Sequence, residues 1–138
     1  MKIRDVRRED VPLVFDSWMK SWRVNRYAGC ISNNLFYTTT RSNIENLVAR
    51  GAVIKIACLD SDENAILGWV CYERLAKPGG EDEWCVHYVY VKDPYLTKGV
   101  GQELAKQLPQ SGLYSYRCSQ VEDFFPNYRW VPEIARRK

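Results

Sequence analysis

Tyr88-Val89-Tyr90-Val91-Lys92-Asp93-Pro94-Tyr95-Leu96-Thr97-Lys98-Gly99-Val100-Gly101 is the stretch from which the rest of the chain can be read. Its opening alternates aromatic and β-branched residues, the pattern of a strand. Asp93-Pro94 breaks that pattern, and Gly99-x-Gly101 leads into Val100, Leu104 and Leu108, spaced as one face of a helix. A strand thus enters a loop, and the loop enters a helix through two glycines. The first amides of a helix have no intrahelical acceptor, and with the helix dipole they favour an anion such as a pyrophosphate. Glycine at 99 and 101 lets the backbone approach that group without a Cβ in the way, and Lys98 adds a charge beside it. The dinucleotide fingerprint G-x-G-x-x-G is not met, because Leu104 stands at its third glycine, and no G-x-x-x-x-G-K-[ST] occurs. Hydride transfer and nucleotide hydrolysis are therefore disfavoured.

Outward from this stretch the periodicities give an ordered series of elements. Residues 3–6 read as a short first strand. Asp10 is a good N-cap with Pro12 in the first turn, and Val11, Val14, Phe15, Trp18 and Trp22 form one apolar stripe of a helix over 11–22. Gly29, Asn33 and Asn34 predict a loop, with helix resuming over 40–49 on a buried face of Ile44, Leu47 and Val48. Strands over 52–59 and 65–75 flank the polar turn Asp60-Ser61-Asp62-Glu63-Asn64, and 84–92 forms a fourth strand. After the helix over 99–108 come a strand at 113–118, a short helix capped by Ser119, and a last strand at 128–134 that Pro132 assigns to a sheet edge. The order β-α-α-β-β-β-α-β-α-β describes an α/β chain, a mixed sheet with helices on its faces, in one domain over 1–138. The crossover from fourth to fifth strand is expected to be parallel.

Composition narrows the function classes. A net charge of +3 over 138 residues is too small to imply nucleic acid, and no apolar run is long enough to span a membrane. The basic clusters Arg7-Arg8 and Arg136-Arg137-Lys138 read as solvated ends or a phosphate patch. Met1-Lys2-Ile3-Arg4-Asp5 contains no signal-peptide core, so a cytoplasmic location is expected. Cys30, Cys58, Cys71, Cys85 and Cys118 lack metal-ligand spacing, and with the single histidine they build no zinc site; reduced, structural thiols and no metal are expected.

Val89-x-Val91-x-x-Pro94, followed by Lys98-Gly99-Val100-Gly101-x-x-Leu104, resembles the acetyl-CoA signature of the GNAT superfamily of acyl-CoA N-acyltransferases. The order of elements is similar over almost the full length, down to Phe124-Phe125-x-x-Tyr128-x-Trp130. The resemblance implies a fourth strand that splays from the fifth, with free backbone groups that hold the pantetheine arm. It implies that Tyr90, Val91 and Lys92 line that arm through main-chain atoms. Thr97, Lys98, Gly99, Val100, Gly101 and Gln102 then face the pyrophosphate. The implied activity is transfer of an acetyl group from acetyl-CoA to an amine, on a small molecule or a protein. Leu96 stands where the family usually has Arg or Gln, and Phe125 where a tyrosine often protonates the leaving thiolate. These departures motivate a second reading, a catalytically inactive protein of this fold that binds and modulates another protein. Small, compact members of the superfamily occur in phage genomes, and the chain looks like them.

Acetyl transfer requires an amine that has lost its proton, a polarised thioester carbonyl and a proton for the thiolate. His87, on the fourth strand, is the one imidazole and a candidate base; its other reading is a hydrogen-bonded core histidine. Strand alternation puts Tyr88 and Tyr90 on one face and His87 and Val89 on the other. Glu73 and Glu83 are alternative bases acting through water, or solvated carboxylates. Tyr116 and Tyr128 are candidate acids, or core aromatics. Trp18, Trp22, Arg23, Arg26 and Tyr27 occupy the region that in the resembled family walls the acceptor, and read equally as a buried stripe with a polar flank.

Overall fold

The computed structural model describes residues 1–23, 33–76 and 79–136. One mixed sheet carries the chain, its strands side by side in sequence order: β1 (Lys2–Asp5), β2 (Val53–Cys58), β3 (Ile66–Leu75), β4 (Glu83–Val91), β5 (Gly112–Tyr114) and β6 (Tyr128–Trp130). The first four are antiparallel neighbours; β4–β5 and β5–β6 are parallel. The helices are α1 (Val11–Arg23), α2 (Asn33–Ala49), α3 (Val100–Ala105) and α4 (Ser119–Phe124). This is the predicted order of elements, and the crossover through α3 joins parallel strands as expected.

Aromatic packing seats α1 on the sheet. Val14 and Trp18 are fully buried, and the Trp18 ring stacks on Tyr88 at 5.2 Å while touching Trp69 and Tyr116 at 5.3 and 5.4 Å. The Trp69 indole N–H donates to Ser17 Oγ at 2.8 Å, and Ser21 Oγ meets the Tyr88 hydroxyl at 2.8 Å, so two hydroxyls one helical turn apart tie α1 to β3 and β4.

Several local expectations give way for identifiable reasons. Asp10 closes a short 3₁₀ turn before α1, and its carboxylate turns back to accept Arg7 N–H at 2.7 Å and both Arg4 guanidinium nitrogens at 2.7 and 3.1 Å. A two-pronged, charge-assisted pair outcompetes a helix cap for that carboxylate. Helix α2 begins at Asn33 and not near residue 40; asparagine favours a loop inside a helix but is at home at its start. Its buried face is Phe36, Thr40, Ile44 and Leu47, while Val48 is exposed, one step of about 100° past the face. Helix α3 stops at Ala105, because Gln107 and Leu108 N–H bond three residues back ahead of Pro109. Strand β6 ends at Trp130: Val131 N–H makes the last bond, to Tyr114 O, and Pro132 opens a 3₁₀ turn that buries Ile134 against Cys85 and Leu113.

Candidate active site at the splay of β4 and β5

Strands β4 and β5 pair only at Cys85↔Leu113 and Val86↔Tyr114, with Ser115 N–H closing the contact on Val86 O at 3.1 Å. Beyond that point β5 has ended and β4 runs on to Val91. The register with β3 explains the parting. Cys71 pairs with Tyr88 but Tyr72 with Val86, so β4 carries one residue too many, His87. Such a bulge bends its strand and increases the twist. Lys92 N–H bonds Leu67 O on β3 at 3.0 Å, so by the two-residue period the main-chain groups of Val91 and Val89 face away from β3, into the gap.

A cleft of about 650 Å³ fills this gap. Its walls are Tyr88, Val89, Tyr90 and Lys92 from β4, Asp16, Ser17, Lys20 and Ser21 from α1, and Cys118, Ser119 and Gln120 at the start of α4; Asp93 stands at the rim. Burial pushes the Tyr88 hydroxyl and the Cys118 thiol up, so both keep their protons at neutral pH. Tyr90 is also raised, first by burial and then by the carboxylates of Asp93 and Asp16, which both bear on it. At the outer end Gln120 Oε1 accepts Val91 N–H at 2.8 Å, and Gln120 Nε2 lies 3.4 Å from Val91 O.

The two glycines of the α3 turn do different work. Gly99 has φ +83°, a conformation that favours glycine, and nothing lies within 4 Å of the place a Cβ would take. At Gly101 a Cβ would sit 2.2 Å from the Phe124 ring, so this glycine accepts a side chain of α4. Glu103 N–H to Gly99 O, at 3.1 Å, is the first bond of the helix, which leaves the amides of Val100 to Gln102 ahead of the ladder. Thr97, Lys98 and Gln102 have exposed side chains, Val100 and Gly101 are buried, and none of residues 97–102 lines the cleft.

The four catalytic candidates lie elsewhere. His87 is fully buried, with Nδ1 2.6 Å from Ser115 Oγ and Nε2 2.9 Å from Glu73 Oε1. Arg50, at the end of α2, bonds Glu73 at 2.7 and 3.0 Å and Ile134 O at 2.7 Å. Burial raises the Glu73 carboxyl, but the bonds from His87 and Arg50 outweigh it and hold the group below its ordinary value. Burial lowers His87, against the pull of Glu73. An ionised Glu73 only accepts, so Nε2 carries the proton of a neutral ring and Nδ1 accepts the Ser115 hydroxyl. The bulge also corrects the expected faces: His87 meets Glu73, which shares a side of β3 with Trp69, and Trp69 touches Tyr88. Tyr116 is buried between Trp18, Trp22 and Tyr88. Tyr128 lies beside Gly112 at the far end of β5, its hydroxyl donating to Pro109 O at 2.6 Å and pushed up to about 12 by burial. Glu83 opens β4, also away from the cleft. Arg26, Tyr27, Cys30 and Arg137-Lys138 lie outside the described residues.

Asp16, Ser21, Asp93, Cys118 and Gln120 were not singled out by sequence. One signal was available: Ser119 marks a helix start directly after the fifth strand, and residues beside that start must face any gap the fourth strand leaves.

No protein-family model matches the chain, and no curated protein matches it. Solved structures do. A probable acetyltransferase superposes with a TM-score of 0.57 at 18% identity, covering 95% of this chain and 78% of that one. Ribosomal-protein-alanine N-acetyltransferase from Brucella melitensis biovar Abortus 2308 gives 0.53 at 18%, over 99% and 86%. An acetyltransferase of the GNAT family from Staphylococcus aureus Mu50 gives 0.52 at 17%, over 77% and 61%. The chain has the GNAT acyl-CoA N-acyltransferase fold. No helix of the described residues is long and apolar enough to cross a membrane.

Proposed function

We propose that the protein is an acetyl-CoA-dependent N-acetyltransferase that moves an acetyl group directly to an amine with both substrates bound. The observation that carries this reading is the bulged end of β4, which turns main-chain groups of Val89 and Val91 into a cleft instead of onto β5. An extended arm bearing amides can pair there as an added strand. Val89 and Val91 supply the main-chain groups of that edge; of the three residues expected there, Tyr90 and Lys92 turn their amides to β3 and only line the cleft. Gly99, with open space around it, and the amides of Val100 to Gln102, beside Thr97 and Lys98, suit the diphosphate; Gly101 contributes by letting α4 close against α3. When bound, acetyl-CoA supplies an activated acetyl thioester.

The chain's own groups divide the remaining work. Asp16 pairs with Lys20 at 3.1 Å, and Lys92 stands with Asp93 in the lining, so the charges around the cleft balance and the amine enters in its uncharged form. The Val89 N–H, directed into the gap, polarises a carbonyl lying along β4. Tyr90 stays protonated; it gives its proton to the leaving thiolate and regains one, through water, from the acylated amine nitrogen. His87 acts at a distance, fixing the bulge through Glu73 and Ser115. Among the described residues Cys58, Cys71, Cys85 and Cys118 are buried and in no disulfide, which fits the reducing cytoplasm that this reading assigns to the protein.

Calorimetric titration with acetyl-CoA, and thiol release in the presence of a panel of amines, test the proposal. Saturable micromolar binding that Gly99→Glu abolishes is expected; no heat and no thermal shift would rule it out. One feature favours the alternative of an inactive binding protein: Gln120 and Phe124, groups of the chain itself, sit on Val91 and Gly101. A stoichiometric protein partner without turnover on any amine would support that alternative.

A further inference from the structure

We infer that Gln120 is a built-in occupant of the β4 edge, a latch that an extended, amide-bearing ligand must displace to pair with Val91. This rests on the reading that the cleft takes a pantetheine arm. Val91 is buried, and its N–H points away from β3 into a gap where no neighbouring strand remains to accept it. An unpaired buried amide is costly, so something must answer it. Gln120 does so with a carboxamide, which presents a C=O acceptor and an N–H donor side by side as a peptide group does. Its two contacts are unequal: the acceptor bond at 2.8 Å is firm and the donor contact at 3.4 Å is weak. The side chain is half-buried, lines the mouth of the cleft and hangs from a helix of six residues.

A ligand amide offers Val91 the same pair of partners, and it belongs to a chain that continues toward Val89. The exchange therefore swaps one set of bonds for an equivalent set and leaves no buried group unanswered. What the latch imposes is competition: the ligand binds only the fraction of molecules in which Gln120 has swung out, and its apparent affinity falls by that fraction. One backbone hydrogen bond of ordinary net strength corresponds to a three- to tenfold effect.

The test uses Gln120→Ala and Gln120→Met, the second keeping side-chain bulk without the carboxamide. In ligand-free protein, amide hydrogen exchange at Val91 is expected to be at least threefold faster in both variants; an unchanged rate overturns the latch. Calorimetry with CoA, and with pantetheine alone, is expected to give dissociation constants lowered about three- to tenfold in both variants. The gain should be the same for the two ligands, because the latch sits on the arm and not at the diphosphate. Affinity that is unchanged or weaker in the variants overturns the proposal. Failure of the wild type and both variants to bind CoA would overturn the cofactor reading, and Val91 exchange would still decide whether Gln120 closes the edge.

Discussion

Acidification should expose the state of His87 directly. The ring is fully buried and bonded on both nitrogens, and burial holds it below its ordinary value although Glu73 pulls the other way. The folded state therefore binds a proton less readily than the unfolded chain, whose histidine titrates near 6.5. Where the unfolded state carries more protons, stability rises with pH and falls as pH drops. Below pH 6.5 the loss per pH unit grows toward a limit of about 1.4 kcal/mol as the unfolded histidine becomes fully protonated, until the folded ring itself titrates. The chain has one histidine, so the slope between pH 6.5 and 5.5 is assignable. His87→Gln removes the titration while keeping a polar side chain, at a fixed cost of about 1–3 kcal/mol for one lost buried hydrogen bond. Urea unfolding of both proteins at pH 7.5, 6.5 and 5.5 is the assay. The wild type should lose stability across the last interval and the variant should be flatter by up to about 1 kcal/mol. A wild-type stability that rises as pH falls would refute the reasoning, because it would mean that a charged His87–Glu73 pair outweighs desolvation.

Asp10→Asn should cost about 2–3 kcal/mol in urea unfolding, because it leaves the nearly buried Arg4 guanidinium without its carboxylate. Gly101→Ala should destabilise by about 1–3 kcal/mol, and Phe124→Leu in the same chain should recover part of that loss; additive costs in the double variant would deny the contact. Tyr128→Phe removes the bond to Pro109 O and should lower stability by about 1 kcal/mol while leaving acetyl-CoA affinity unchanged, since Tyr128 is remote from the cleft.

The order of strands and helices was legible because each depends on local patterns: the polar turn at 60–64, the alternation over 88–91, the stripe through Val14 and Trp18. What escaped the sequence depends on a second segment. The extra residue at His87 exists only relative to β3, where Tyr72 pairs past it to Val86, and that one-residue offset decides both the splay and the face of the imidazole. Asp10 reads as a cap until Arg4 is placed beside it. Gly101 reads as a clearance for phosphate until Phe124 is found in the same space. Gln120 had only the helix start at Ser119 to mark its neighbourhood, because its role comes from the unpaired amide of a strand twenty-nine residues earlier.

The proposed activity requires the edge of β4 to be a template for an added chain. Residue-resolved amide exchange with and without acetyl-CoA tests that most directly. Slowed exchange at Val89, with Val91 retaining protection and Tyr88 and Tyr90 unchanged because their amides already face β3, is the predicted result. Unaltered exchange at Val89 in protein that demonstrably binds acetyl-CoA would mean that the cofactor lies elsewhere and that β4 offers it no edge.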